Sequence, residues 1–121
     1  MAKGSISHIE FPADDPERAK RFYGAVAGWE FGPMEGLPNY WLFRTSDTTG
    51  GGLGKRGETV ANAVRVYIDV DNLEDAIAAA SANGGKVVTP PSPVPGFGRY
   101  AAVLDPEGNE VGLFEGAPSG S

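Results

Sequence analysis

The two stretches "HIEFPADDPERAKRFYGAVAGWEF" (residues 8–31) and "RVYIDVDNLEDAIAAASANGGKVV" (residues 65–88) lie 57 positions apart and align without a gap. Five positions are identical: Asp14/Asp71, Glu17/Glu74, Ala19/Ala76, Ala25/Ala82 and Gly28/Gly85. Identity at that level is modest, so the case for a repeat rests on whether both copies specify one structure. Val64, Val66, Ile68 and Val70 alternate with Arg65, Tyr67 and Asp69, the period of a strand with one apolar face. Ile9 and Phe11 alternate with His8 and Glu10 in the same way. Each strand then meets a helix start. Asp15 can cap a helix beginning at Pro16, and Asn72 can cap one beginning at Leu73. Ala19, Phe22, Tyr23, Val26 and Ala27 fall on one helical stripe, and Leu73, Ala76, Ile77 and Ala80 repeat it in smaller residues. Gly28 and Gly84 stand where helices end in the left-handed conformation.

Short β-like runs follow each helix. They are "WEF", "YWLFR" and a weak, glycine-rich "GGGLGK" in the first copy, then "KVV", "RYAAVL" and "EVGLF" in the second. "DPEGN" is a turn between the last two. Each half therefore predicts β-α-β-β-β, with module 1 at about 5–55 and module 2 at about 62–116 of a single domain, 1–121. Residues 117–121 are expected to form a flexible tail.

Composition narrows the function classes. The 121 residues suit one domain, and no apolar run is long enough to span a membrane. "MAKGSISHIEF" has no apolar signal core, and cysteine is absent, which excludes disulfides, thiolate metal sites and a cysteine nucleophile. These features predict a cytoplasmic protein. The net charge of -6 repels phosphates, so neither nucleic acid nor a membrane is an expected partner. "GGGLGK" is no phosphate loop, because no helix start and no Lys-Ser/Thr pair follow it.

Two β-α-β-β-β modules carrying these motifs, with "GG-K-V" after the second helix and "DPEGN" before the last strand, resemble the vicinal oxygen chelate superfamily. This is the glyoxalase/bleomycin resistance/dioxygenase group, and the likeness is closest to its unassigned branch related to lactoylglutathione lyase. The resemblance covers roughly residues 5 to 116. It implies an α+β fold in which two tandem βαβββ modules form a curled mixed sheet, a cup with helices outside and a small organic ligand within. A homodimer is expected, as in many members. Fold does not choose among the lyases, dioxygenases, thiol transferases, epimerases and drug binders of this group.

Metal-dependent members place one ligand, usually His or Glu, on the first and last strand of each module, where a divalent metal holds two substrate oxygens. Carried over residue by residue, the first strand supplies His8, but its counterpart is Arg65, a permanent cation. Gly52 and Gly112 match the last strands and have no side chain. One ligand position in four is filled, so no metal cofactor is expected. Glu10 shares the face of His8, and a weak site from His8, Glu10 and Asp69 is the remaining way to hold a metal.

The polar faces of the first and fifth strands then put His8, Glu10, Arg65, Tyr67 and Asp69 on cup-facing positions, which is costly unless they meet water, a ligand or each other. His8, Glu10 and Tyr67 are the candidate proton-transfer residues. Arg65 and Asp69 are candidate ligand contacts, and so are Gly52 and Gly112, whose missing side chains would leave room. Phe114 shares the face of Gly112. Phe97 and Arg99 lie in "TPPSPVPGFGRY" (89–100), predicted to connect two strands over a cup mouth. An internal ion network among the polar residues, and core packing of the glycines, are the competing readings. The expected function is a metal-free small-molecule-binding protein. The alternatives are a metal-independent isomerase or lyase and, less favoured by the ligand count, a metal-dependent glyoxalase or dioxygenase.

Overall fold

The computed structural model describes residues 3–117. They form ten elements: β1 (Ile6–Ala13), α1 (Pro16–Ala27), β2 (Gly32–Pro33), β3 (Tyr40–Arg44), β4 (Gly50–Lys55), β5 (Arg65–Asp69), α2 (Leu73–Ala82), β6 (Lys86–Val94), β7 (Gly98–Leu104) and β8 (Glu110–Gly116). The class is α+β, and the chain forms two compact units. One is Ser7–Arg65; the other joins Met1–Ile6 to Val66–Ser121. Of the expected tail, all but Ala117 lies outside the described residues.

Both units follow one plan. In the first, β1 pairs in parallel with β4, β4 antiparallel with β3, and β3 antiparallel with β2. In the second, β5 pairs in parallel with β8, β8 antiparallel with β7, and β7 antiparallel with β6. The parallel partners are joined by a long crossover that holds a helix and two further strands in each unit. The helix boundaries agree with the caps read from sequence. The side chain of Asp15 accepts from the Arg18 backbone N–H at 3.1 Å, with Pro16 opening the helix. That of Asn72 accepts from the Asp75 N–H at 2.9 Å. Gly28 (φ 73°) and Gly84 (φ 90°) take the left-handed conformation after α1 and α2.

Several local expectations are corrected. "WEF" is no strand; the strand is Gly32–Pro33, and Trp29 and Phe31 turn into an aromatic core. Trp29 stacks on Phe43 at 4.3 Å and on Tyr23 at 5.3 Å, while Phe11 tilts against Tyr23 at 5.2 Å. Of the α1 stripe, Phe22 and Val26 are exposed by 57% and 69%, so the inward side is narrower than periodicity suggested. The weak "GGGLGK" run is a full strand with Leu53 completely buried. The proline-rich stretch is mostly strand as well. β6 continues through Pro90, Pro91 and Pro93 to Val94, and only Pro95–Phe97 form the turn. β6 pairs with β7 alone in its unit, and an outer strand tolerates residues that donate no ladder hydrogen bond. Its register shifts between Val87 and Thr89 and again before Ser92.

The second unit has an aliphatic core. Leu73, Ala101, Val103 and Leu113 are buried together, with Ile68, Val70, Ala76, Ile77, Ala80 and Val111 packed around them. Full burial of a leucine contributes about 2 kcal/mol. The "DPEGN" turn forms as predicted, with Asp105 accepting from the N–H groups of Glu107 and Asn109.

Candidate functional site

Alternation along β1 puts Ile9 and Phe11 toward the aromatic core and leaves His8 and Glu10 on the other face. On β3 the same rule separates Trp41 and Phe43 from Tyr40, and Lys20 of α1 lies 4.4 Å over the Trp41 ring. Tyr40 is 5% exposed, and its hydroxyl is the centre of a buried polar cluster. It donates to Glu10 Oε2 at 2.9 Å. His8 Nε2 lies 2.9 Å from the same hydroxyl oxygen. A phenol has one proton, so a hydroxyl that donates to Glu10 must accept from His8, which assigns the Nε2–H tautomer. Burial holds His8 below its ordinary pKa, and the Glu10 charge opposes that only in part. His8 is therefore neutral at pH 7. Arg65 completes the cluster, its Nη2 donating to Glu10 Oε1 at 3.2 Å, with both side chains about 10% exposed.

Gly52 explains how the hydroxyl reaches this point. It pairs with Glu10 on β1 and with Leu42 on β3, and a Cβ at position 52 would overlap the Tyr40 hydroxyl. The space expected to admit a ligand is filled by a phenol. Gly112 has a similar role in its own unit. It pairs with Tyr67, whose ring lies where a Cβ would stand. Both glycines are thus places of tight packing, the competing reading of these two positions.

The other predicted residues divide between the two units. His8, Glu10 and Arg65 come together in the first. Tyr67 and Asp69 are buried in the second, where Tyr67 meets Tyr100 edge to face at 6.2 Å. The Asp69 backbone bonds to Gly4 and Ser5, donating to Ser5 and accepting from Gly4 at 2.8 Å each. Phe114 is half-buried, paired with Tyr100 and Asp69. Phe97 is 53% exposed at the β6–β7 turn. Arg99 does not wait for a ligand. It forks onto Glu74 through two bonds of 2.9 Å and onto Glu115 through bonds of 2.8 and 3.1 Å. Glu115 also accepts the Leu73 N–H at 2.9 Å, tying the start of α2 to β8. Hydrogen bonds from Arg99 hold both carboxyls below the ordinary carboxylate range. This ion network engages the Arg99 side chain within its own unit.

From sequence, Tyr40 is one of several aromatic candidates for a hydrophobic lining; the role of its hydroxyl is what sequence reasoning missed. The available signal was its place opposite Trp41 and Phe43 in an alternating strand, which puts a hydroxyl on the polar face. Beside the cluster, a cleft of about 430 Å³ is lined by Pro33, Met34, Leu37, Pro38, Trp41 and Tyr40. It is open to solvent, and its walls offer thioether, proline and aromatic surface with the Asn39 amide and no charged side chain.

The residues present do not suit a divalent metal. Among the described residues, no group of three or more His, Asp or Glu side chains is gathered to hold one. Glu10 gives one oxygen to Tyr40 and the other to Arg65, and His8 Nε2 points its proton at the phenol. A guanidinium beside the carboxylate also cancels the charge a cation needs.

Two parallel-plus-antiparallel βαβββ units of this plan define a protein of the glyoxalase/bleomycin resistance/dioxygenase group. The chain belongs to the glyoxalase-like domain family, whose family model matches residues 8–114. A glyoxylase-like domain-containing protein of Didymella fabae is 38% identical over 90 residues, covering 69% of this chain and 70% of its own. CFP32 of Mycobacterium tuberculosis, provisionally named a glyoxylase, is 33% identical over 118 residues. That match covers 95% of this chain but 45% of the mycobacterial protein, so the chain spans about half its length. Among solved structures, a superfamily member from Vibrio splendidus has a TM-score of 0.66 at 14% identity, over 94% of this chain and 99% of the other. Methylmalonyl-CoA epimerase from Mycobacterium tuberculosis has a TM-score of 0.66 at 14% identity, over 95% and 89%. At such identities the structures speak for the fold alone. No described helix is long and apolar enough to cross a membrane.

Proposed function

We propose that this chain is a metal-independent member of its family that binds a small organic molecule. The observation that carries the reading is the arrangement around Glu10, in which Tyr40 and Arg65 bond to its two oxygens while His8 is held by the same phenol. A cluster whose donors already face one another can orient a neutral or weakly polar ligand, but it offers no open ligand set to a cation. The uncharged cleft beside Tyr40 supports an apolar or aromatic ligand. The family's small-molecule binding is consistent with this, and we extend it to a cytoplasmic homodimer.

The test has two parts. Protein purified without chelator is assayed for nickel, zinc and iron, and substoichiometric content is expected. Stoichiometric metal that disappears in His8→Ala would overturn the reading. A thermal-shift screen of aromatic and aliphatic small molecules is then expected to raise Tm, with the shift lost in Leu37→Ser and Trp41→Ala.

A second reading is a metal-independent isomerase or lyase. His8, kept neutral by burial, favours it, because an unprotonated imidazole at pH 7 can accept a proton. The fold is shared with an epimerase. Turnover of a ligand found in the screen, lost in His8→Ala, would select this reading over binding alone.

A further inference from the structure

We infer that Tyr40 and Gly52 form a matched pair that plugs a latent cation site with a phenolic hydroxyl. The inference rests on the metal-free reading above and says what enforces it. One atom, the Tyr40 hydroxyl oxygen, lies 2.9 Å from His8 Nε2 and 2.9 Å from Glu10 Oε2. An imidazole nitrogen and a carboxylate oxygen converging on one point are the donor types that zinc and nickel take. A Cβ at position 52 would overlap that same oxygen, so a side chain there would be directed at the point where His8 and Glu10 meet. The phenol reaches it only because position 52 is glycine. Three strands thus aim at one place: β1 with His8 and Glu10, β4 with Gly52, and β3 with the hydroxyl that fills it.

The hydroxyl satisfies the two donors differently from a cation. It gives a proton to Glu10 and accepts one from His8, so it leaves His8 neutral and protonated on Nε2, which a metal would have to displace. Arg65 at 3.2 Å from Glu10 then supplies positive charge at the remaining carboxylate oxygen. Tyrosine and arginine together do for Glu10 what a divalent ion would otherwise do.

The pair can be dissected in the full chain. In the double variant Tyr40→Ala/Gly52→Asp, made in an Arg65→Gln background so that no guanidinium competes for Glu10, the plug is gone, and a short carboxylate stands beside His8 and Glu10. This variant is expected to take up stoichiometric Zn²⁺ in equilibrium dialysis, with a rise in Tm on adding zinc. Addition of His8→Ala should abolish both, and the wild type should show neither. A folded double variant that takes up no zinc would overturn the plug and leave the metal-free reading intact. Stoichiometric zinc in the wild type, lost in His8→Ala, would overturn the reading itself. Should the double variant fail to fold, a thermal cycle decides. Gly52→Ala alone is expected to lose roughly 5 °C or more in Tm through overpacking against Tyr40. The same change in a Tyr40→Ala background should cost nothing further. An equal cost in both backgrounds would overturn the pairing.

Discussion

Gly52 and Gly112 hold corresponding places in their units, yet the tyrosines that cover them do different work. Tyr67 is the direct ladder neighbour of Gly112 and lays the flank of its ring over it. Tyr40 comes from the antiparallel side, where its own ladder partner is Gly54, and leans across to present its hydroxyl. The first arrangement is aromatic packing on a bare backbone. The second turns the same vacancy into a hydrogen-bonded joint between β1 and β3. The charges follow suit. The first unit buries its ion pair, Glu10 with Arg65, whereas the second carries Arg99, Glu74 and Glu115 toward solvent at the start of α2. One backbone plan therefore supports a buried polar cluster in one unit and a surface ion network in the other.

The largest effect is expected from breaking the buried cluster. Glu10→Ala removes the acceptor of both Tyr40 and Arg65 inside the protein, and loss of one partner of a buried ion pair costs about 3 kcal/mol or more. Denaturant unfolding should show a clearly lower midpoint. Arg99→Ala, which breaks more hydrogen bonds on paper, should cost less, because water screens and replaces exposed pairs. Equal losses would mean that the two networks are not distinguished by burial. Next in size is Gly112→Ala, which forces a methyl group into the Tyr67 ring and is expected to cost about 1–3 kcal/mol. Its cost should shrink when Tyr67 is replaced by alanine. A cost that persists would place the strain in the backbone instead.

Much of this fold is legible in residues 8–31 and 65–88. Caps at Asp15 and Asn72, glycines after both helices and the alternation in β5 act locally, so neighbouring residues suffice to read them. What stayed hidden depends on distant partners. β4 looked weak because its glycines carry no signal of their own; the cause lies in Phe43 and Tyr40, which crowd Gly51 and Gly52. β6 looked like a loop because prolines exclude a central strand, and nothing local says the strand lies outermost. Helical periodicity ordered Phe22 and Val26 onto a stripe but could not say where the covering strands end. Tyr40 read as one more aromatic residue, since its partners His8 and Glu10 stand at least thirty residues away. The site residues His8, Glu10 and Arg65 were visible; the hydroxyl that joins them was not.

A smaller effect separates the units by pH. Unfolded His8 binds its proton near 6.5, and burial lowers that value in the folded protein. Between the two values the unfolded chain holds more protons, so stability is complete above about 6.5 and falls as pH drops, levelling once folded His8 is protonated as well. The Glu74 and Glu115 carboxyls are also held low, but by Arg99, and their ordinary value is 4.5. Their contribution is present above that value and is lost as pH falls through their lower folded values. Unfolding midpoints measured from pH 8 to pH 3 should therefore decline in two windows. His8→Gln should flatten the upper one and leave the lower unchanged, while Arg99→Ala should shrink the lower one, to which Asp105 also contributes through its turn hydrogen bonds, and leave the upper in place.

The smallest expected effect concerns the exposed face of α1. Phe22 touches Tyr23 edge to face at 5.1 Å and otherwise faces solvent, so Phe22→Ser should change the stability of an isolated chain by less than about 0.5 kcal/mol. The proposed homodimer gives this variant its value. If α1 is part of the contact between copies, Phe22→Ser will lower the mass seen by light scattering at dilute concentration while leaving the pH profile of the monomer in place. If the mass is unchanged, α1 is not a contact between copies, and the exposed phenylalanine is ordinary apolar surface of the kind every folded protein displays.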